Sequence, residues 1–204
     1  MTWDAVNATA LAKHELEYHS VRDTAIFVRF AVPSSANEFI VIWTTTQWTI
    51  PYNLAVMANP EIEYVRVDVV HDGKPQRWII AQARVQPFLV GELKLVEGKS
   101  PADGGFAIAW RGKGKELAGL AYEHPFAGLN PTYAKLRSAM PKVHTVVLSA
   151  QFVDTESGTG LVHCAPGCGP EDYVVGLENG IAPFNTVDEG GVVRNLDPMT
   201  GMRA

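Results

Sequence analysis

A mainly β fold, its many short strands forming a closed or nearly closed barrel with one or two peripheral helices, is the architecture this sequence predicts. Short β-branched and aromatic runs recur along the chain, each ended by Pro, Gly or Asn. Only one segment carries a full set of helix start and stop signals. At 204 residues, 47% apolar and 19% charged, the chain can build one sizeable core and is not disordered.

The elements follow in order. Residues 1–15 are weakly patterned and read as a leading arm, with residues 16–204 as a single domain. Ala25 to Val32 is a first strand, broken by Pro33 to Asn37, and Phe39 to Thr45 is a second that runs into a threonine cluster. Pro51-Tyr52-Asn53 turns the chain, and Leu54 to Met57 begins a third strand. Ile62 to Val70 alternates with period two, as a half-buried strand does. His71-Asp72-Gly73-Lys74 is a hairpin turn, because Asp-Gly supplies positive φ, and Trp78 to Ala81 returns. Arg84 to Val90 is expected as a short helix, Glu92 to Val96 and Phe106 to Trp110 as strands, and Val143 to Val153 as a late β stretch. Pro170 to Asn179 is the best helix: Pro170 suits its first position, Glu171 and Asp172 its first turn, and Gly180 its stop.

Composition limits the function. No run approaches the length of a transmembrane helix, and Met1-Thr2-Trp3-Asp4 is not a signal peptide, so a cytoplasmic protein is expected. A net charge of −5 argues against grip on a long duplex, leaving nucleic acid only a few local contacts. Arg111, Lys113 and Lys115 form the one tight basic cluster, read as a solvated loop; Gly112 to Lys115 lacks the spacing of a phosphate loop. The two cysteines, Cys164 and Cys168, sit too close together to staple a secreted fold, which suits a reduced compartment. With His163 they offer three potential zinc ligands and no second pair, so neither metal nor cofactor is expected.

Two distant segments concentrate the chemistry. Trp43-Thr44-Thr45-Thr46-Gln47-Trp48-Thr49-Ile50-Pro51-Tyr52-Asn53 supplies hydroxyls beside a turn. Strand alternation sends Thr44 and Thr46 to one face and Thr45 to the other. Gly158 to Tyr173 adds His163 at a strand end and Asp172 in the first turn of a helix. The helix dipole and nearby amides favour an ionised Asp172, an anion suited to an ammonium group. His163 could act as base, donor or steric wall, and the residues alone do not choose. No nucleophile elbow occurs.

These residues resemble the editing domain inserted into isoleucyl-tRNA synthetases. The likeness lies in Trp43 to Asn53, in Gly158-Thr159-Gly160-Leu161-Val162-His163-Cys164-Ala165-Pro166-Gly167 through Asp172, and in Leu117 to Tyr122 with Pro125-Phe126. Ala12 to Tyr18 resembles the segment entering that domain from the synthetic body, which assigns the leading arm. The run Trp43-Thr44-Thr45-Thr46 is similar to the isoleucyl branch rather than the valyl and leucyl ones. The resemblance implies a mainly β fold with small α/β additions, the β-barrel core of the Val/Ile/Leu-tRNA synthetase editing domains, and hydrolysis of the ester of valine misattached to tRNA(Ile). One methylene is worth only about 1–3 kcal/mol in a pocket, a limit for which isoleucyl-tRNA synthetases are themselves the standard illustration, so a second site must reject the error.

The resemblance also implies roles. Asp172 binds the α-ammonium; Thr44, Thr45 and Thr46 contact the aminoacyl group and terminal adenosine and position water; His163 borders the side-chain pocket and rejects isoleucine. Trp43, Asn53, Gly160, Ala165 and Pro166 complete the substrate site, and Trp48 and Tyr173 pack near the terminal base, the last by stacking physics. Gln47 stands where the family usually has proline, implying a looser loop, and Cys168 where it usually has histidine, implying weaker chemistry. No His-x-Gly-His or Lys-Met-Ser-Lys-Ser ATP signature occurs, so the chain reads as an excised domain rather than a free-standing relative. Its expected partners are the tRNA(Ile) 3′ end carrying valine and the rest of a synthetase, and the isolated domain is expected to be a monomer. The alternative is a module that binds the acceptor end without useful hydrolysis.

Overall fold

The computed structural model describes residues 2–22 and 24–204. Two mixed sheets form the body. In the larger, strand order is β3 (Ile26–Ala31), β4 (Glu38–Thr44), β7 (Lys74–Ala81), β6 (Glu63–His71) and β8 (Ala107–Lys113). All its pairings are antiparallel except β4 with β7. The smaller runs β10 (Val162–Cys164), β5 (Ala55–Ala58), β9 (Thr145–Leu148), with β10 antiparallel and β9 parallel to β5.

The expected barrel is not closed among the described residues. β3 and β8 are the free ends of the larger sheet, and beyond β3 lies only a single bridge from Ala31 to Glu123. The two sheets instead face one another across a shared core of Phe30, Ile40, Ile42, Val56, Ala58, Tyr64, Tyr122 and Val146. The opposite face of the larger sheet is covered as well, where Val41, Val65, Val67, Trp78 and Ile80 pack against Val85, Phe88 and Leu89. Burial on both faces explains why β4 reads as a continuous apolar run rather than a strict alternation. Full burial of Phe88 alone stabilises the fold by about 1.5–3 kcal/mol.

The hairpin is as the Asp-Gly pair requires: Asp72 and Gly73 sit at φ +50° and +70°, and His71 pairs Lys74. The covering helix, Val85–Glu92, is wider than an α-helix, with the Leu93 amide bonding back to Phe88 O at 3.0 Å. Pro87, lacking an N–H, cannot join a regular ladder. The expected strand at Glu92 to Val96 does not form. Lys94 turns left-handed at φ +59°, and only Val96 makes a bridge, to Gly105. Likewise only Thr145–Leu148 of the late β stretch is strand, since His144 before it has φ +58°.

A helix the patterning missed, α1 (Thr132–Ala139), starts where Asn130 Oδ1 accepts the Thr132 amide at 2.9 Å beside Pro131. The predicted helix, α2 (Pro170–Glu178), packs Val175 with Leu54, Met57 and Val147 of the smaller sheet's core. Within the leading arm, β1 (Thr2–Asp4) and β2 (Thr9–Leu11) form a small hairpin, and Trp3 donates to Glu189 O at 2.8 Å. Met1 lies outside the described residues.

Candidate active site

β4 ends at Thr44, and the chain turns at once into a 3-10 helix, Gln47–Tyr52. The turn is held by Thr44 Oγ1, which accepts the Thr46 amide at 3.0 Å, and by Gln47, whose side chain donates to Thr24 O at 2.7 Å. Strand geometry therefore stops before the second threonine. Thr44, Thr45 and Thr46 all line one cleft, not two faces as alternation predicts.

That cleft has a volume of about 390 Å³. Asp154, Ser157, Gly158, Thr159 and Gly160 also line it, together with Trp43, Thr49, His163, Cys168 and Asp172 and the apolar Phe152, Leu161 and Val162. Gly158 and Gly160 hold φ +61° and +75°. A Cβ on Gly160 would lie 2.4 Å from Ala81 Cβ, and one on Gly158 would lie 3.0 Å from Trp43 Cβ. Both glycines are required by a wall this close to its neighbours.

His163 is paired in β10 to Val56 and is buried at 8% exposure. Its Nε2 lies 3.0 Å from Thr49 Oγ1. The Thr49 hydroxyl has one hydrogen, given to Thr46 O at 2.7 Å, so it accepts from His163 and fixes Nε2 as the protonated nitrogen. Nδ1 is then a bare acceptor, and it has no hydrogen-bond partner among the described residues. Burial pushes the His163 pKa down to about 4, so the ring is neutral near pH 7. A neutral ring locked by Thr49 acts as a wall; general-base work near neutral pH calls for a pKa much closer to 7.

Asp172, third residue of α2, accepts the Ala165 amide through Oδ2 at 3.1 Å. Sequence reasoning expects its pKa to fall through the helix dipole. It rises instead, because burial outweighs the Ala165 hydrogen bond and Glu171 adds a like charge. An incoming ammonium would reverse that shift by giving the carboxylate a partner. Burial, with the Asp172 charge second, also raises the Cys168 thiol to about 12, so it is no thiolate nucleophile. Cys164 is pushed up further, for the same two reasons. Among the described residues no three metal-ligating side chains cluster.

Of the residues singled out from sequence, the cleft unites Trp43, Thr44, Thr45, Thr46, Gly160, His163 and Asp172. Ala165 stands behind it, orienting Asp172, and Pro166 packs where a Cβ on Gly176 would meet it at 2.8 Å. Asn53 is fully buried outside the cleft, donating to Ala55 O at 2.8 Å and accepting from the Tyr122 hydroxyl. Trp48 and Tyr173 are exposed and do not line the cleft; Trp48 borders a separate apolar groove with Ile50, Phe126 and Met199. Thr49, Asp154, Ser157 and Thr159 were not singled out as site residues. Thr49 had a visible signal, since one helical turn places it over Thr46.

No protein-family model matches the chain. It is 43% identical over 185 residues to the isoleucine–tRNA ligase of Pyrococcus horikoshii, covering 90% of this chain and 16% of that one. With the same enzyme of Methanocaldococcus jannaschii it shares 40% over 188 residues, 90% of this chain and 17% of that one. The chain thus spans about a sixth of the length of these curated relatives. In fold it is similar to the editing domain of the P. knowlesi cytosolic leucyl-tRNA synthetase, at TM-score 0.52 and 13% identity, over 78% of this chain and 64% of that one. The GlLeuRS-CP1 crystal structure matches at TM-score 0.51 and 16% identity, over 79% of this chain and 52% of that one. No helix among the described residues is long and apolar enough to cross a membrane. Sequence likeness places the chain with the isoleucine–tRNA ligases, over about a sixth of their length, and its fold is that of the leucyl-tRNA synthetase editing domains.

Proposed function

We propose that the cleft hydrolyses the ester linking misattached valine to the 3′ end of tRNA(Ile). The observation that carries this reading is the meeting of Thr44, Thr45 and Thr46 with the neutral His163 and the Asp172 carboxylate, from segments over a hundred residues apart, around one small cleft. Asp172 would receive the α-ammonium. Thr44, Thr45 and Thr46 would hold the ester carbonyl, the terminal ribose and the attacking water, since hydroxyls both donate and accept. His163, held by Thr49, would stand against the branched side chain and exclude a longer one. In this reading residues 1–15 lead in from the synthetic body, residues 16–204 are the editing domain, and the setting is cytoplasmic.

The test is deacylation of Val-tRNA(Ile) by the wild-type chain and by Asp172→Ala. The expected result is hydrolysis in the first and its loss in the second, with unchanged thermal unfolding; equal rates would end the proposal. One observation favours a second reading. Cys168, which stands where relatives usually have histidine, lines the cleft as a neutral thiol. A module that binds the acceptor end without turnover would bind a stable valyl-adenosine analogue and leave Val-tRNA(Ile) intact.

A further inference from the structure

Residues 154–160, which run along the cleft, belong to no strand or helix, yet five of their seven carbonyls accept hydrogen bonds from elsewhere in the chain. Asn59 Nδ2 donates to Val153 O at 2.9 Å, the Ala81 amide to Thr159 O at 2.8 Å, and the Tyr64 hydroxyl to Gly160 O at 2.8 Å. The stretch between these anchors is held by one side chain. Arg84 Nε donates to Gly158 O at 2.8 Å, and its Nη1 reaches Glu156 O at 3.2 Å and Thr155 O at 3.4 Å. A guanidinium presents donors in a rigid planar fork, so a single residue fixes several carbonyls in one geometry, whereas an ammonium offers three rotatable donors on a flexible stem.

Arg84 ends a 3-10 turn, Gln82–Arg84, that continues directly from β7. It is therefore based on a strand interior to the larger sheet and acts on a loop, linking the rigid part of the fold to the cleft. Gly158, the residue it grips at the shortest distance, also packs against Trp43, the residue just before the threonine run, where an added Cβ would lie 3.0 Å from Trp43 Cβ. The two cleft walls meet there. Pulling on Gly158 O sets how far the loop stands from Trp43 and Thr44.

We infer that Arg84 is a positioning residue that sets the width of the cleft, and through it the size of aminoacyl side chain admitted. The inference rests on the editing reading of the cleft. Arg84 lines no part of the cleft, so it touches no substrate. Arg84 is half-buried and belongs to none of the core clusters, so its replacement is expected to leave the sheets intact.

The experiment compares wild type, Arg84→Ala and Arg84→Lys on Val-tRNA(Ile) and Ile-tRNA(Ile), with amide hydrogen exchange followed over residues 154–160. In Arg84→Ala, kcat/KM for the valyl ester should fall about tenfold, the scale of a misplaced site, while hydrolysis of the isoleucyl ester rises. Exchange should quicken at residues 155–160 and stay unchanged in β6 and β7. Arg84→Lys should restore only part of the discrimination, because an ammonium on a flexible stem lacks the planar fork that spans these carbonyls. An unchanged valyl-to-isoleucyl ratio with unchanged exchange overturns the inference. So does an equal loss on both esters accompanied by faster exchange throughout the sheets, which marks a merely structural residue. If wild type hydrolyses neither ester, the editing reading fails by itself, and the exchange data still decide whether Arg84 holds the wall.

Discussion

Replacing Thr49 with valine removes one oxygen and keeps the shape, which makes it a sharp probe of how His163 is held. The hydroxyl makes two hydrogen bonds, to Thr46 O at 2.7 Å and from His163 Nε2 at 3.0 Å. They are not equal in consequence. Thr46 O keeps the Thr49 backbone amide at 3.2 Å, so losing the first costs little. The imidazole N–H has no other partner, and leaving a buried donor unpaired costs about 1–3 kcal/mol. For a domain of this size that lowers Tm by about 2–4 °C per kcal/mol. Urea denaturation should thus show Thr49→Val destabilised by about 2 kcal/mol and Thr49→Ser by much less. Replacing both partners, in Thr49→Val with His163→Phe, should recover much of the loss, because no polar atom is then stranded. Strictly additive losses in the double variant would refute the assigned tautomer and the Thr49 lock.

Other expectations follow from the same geometry. Asp172→Asn keeps the shape but not the charge, and kcat/KM for a valyl ester should fall by about 10- to 100-fold, the worth of a hydrogen bond to a charged group; steady-state kinetics check this, and an unchanged value contradicts the ammonium role. His124, His144 and His163 are buried neutral, with pKa values lowered to about 3, 4 and 4, in each case chiefly by burial. Between the unfolded value near 6.5 and these folded values the unfolded chain binds protons that the folded chain does not. Stability is therefore full above about pH 6.5 and falls below it by up to about 1.4 kcal/mol per pH unit for each ring; urea midpoints that do not move between pH 7.5 and 5 would contradict the buried neutral rings. Gly160→Ala puts a Cβ 2.4 Å from Ala81 Cβ at φ +75° and should cost about 2 kcal/mol or more by thermal unfolding; an unshifted Tm would show that the wall is not packed as described.

How much of this the sequence announces depends on the range of the signal. Asp72-Gly73 names its turn because the needed φ is a property of those two residues alone, and Pro170 with Gly180 bounds α2 for the same local reason. Barrel closure has no such local mark. Nothing in β3 or β8 says whether they meet, and the structure leaves both as edges. Alternation fails at Thr45 because the strand ends one residue earlier than the β-propensity of threonine suggests. The charge of Asp172 is misjudged for a related cause: a helix terminus is visible in sequence, whereas burial, the larger effect, is not. Asp154 and Ser157 line the cleft on a loop whose Gly158 carbonyl accepts from Arg84, some seventy residues earlier, a link no pattern of spacing carries.

The most direct measurement is a crystal structure of the chain with a non-hydrolysable valyl-adenosine ester mimic. The account predicts the α-ammonium within hydrogen-bonding distance of the Asp172 carboxylate, the ester oxygens among the hydroxyls of Thr44, Thr45 and Thr46, and the isopropyl group against His163. A mimic bound elsewhere, such as in the apolar groove beside Trp48, or seated in the cleft with its ammonium turned away from Asp172, would contradict it.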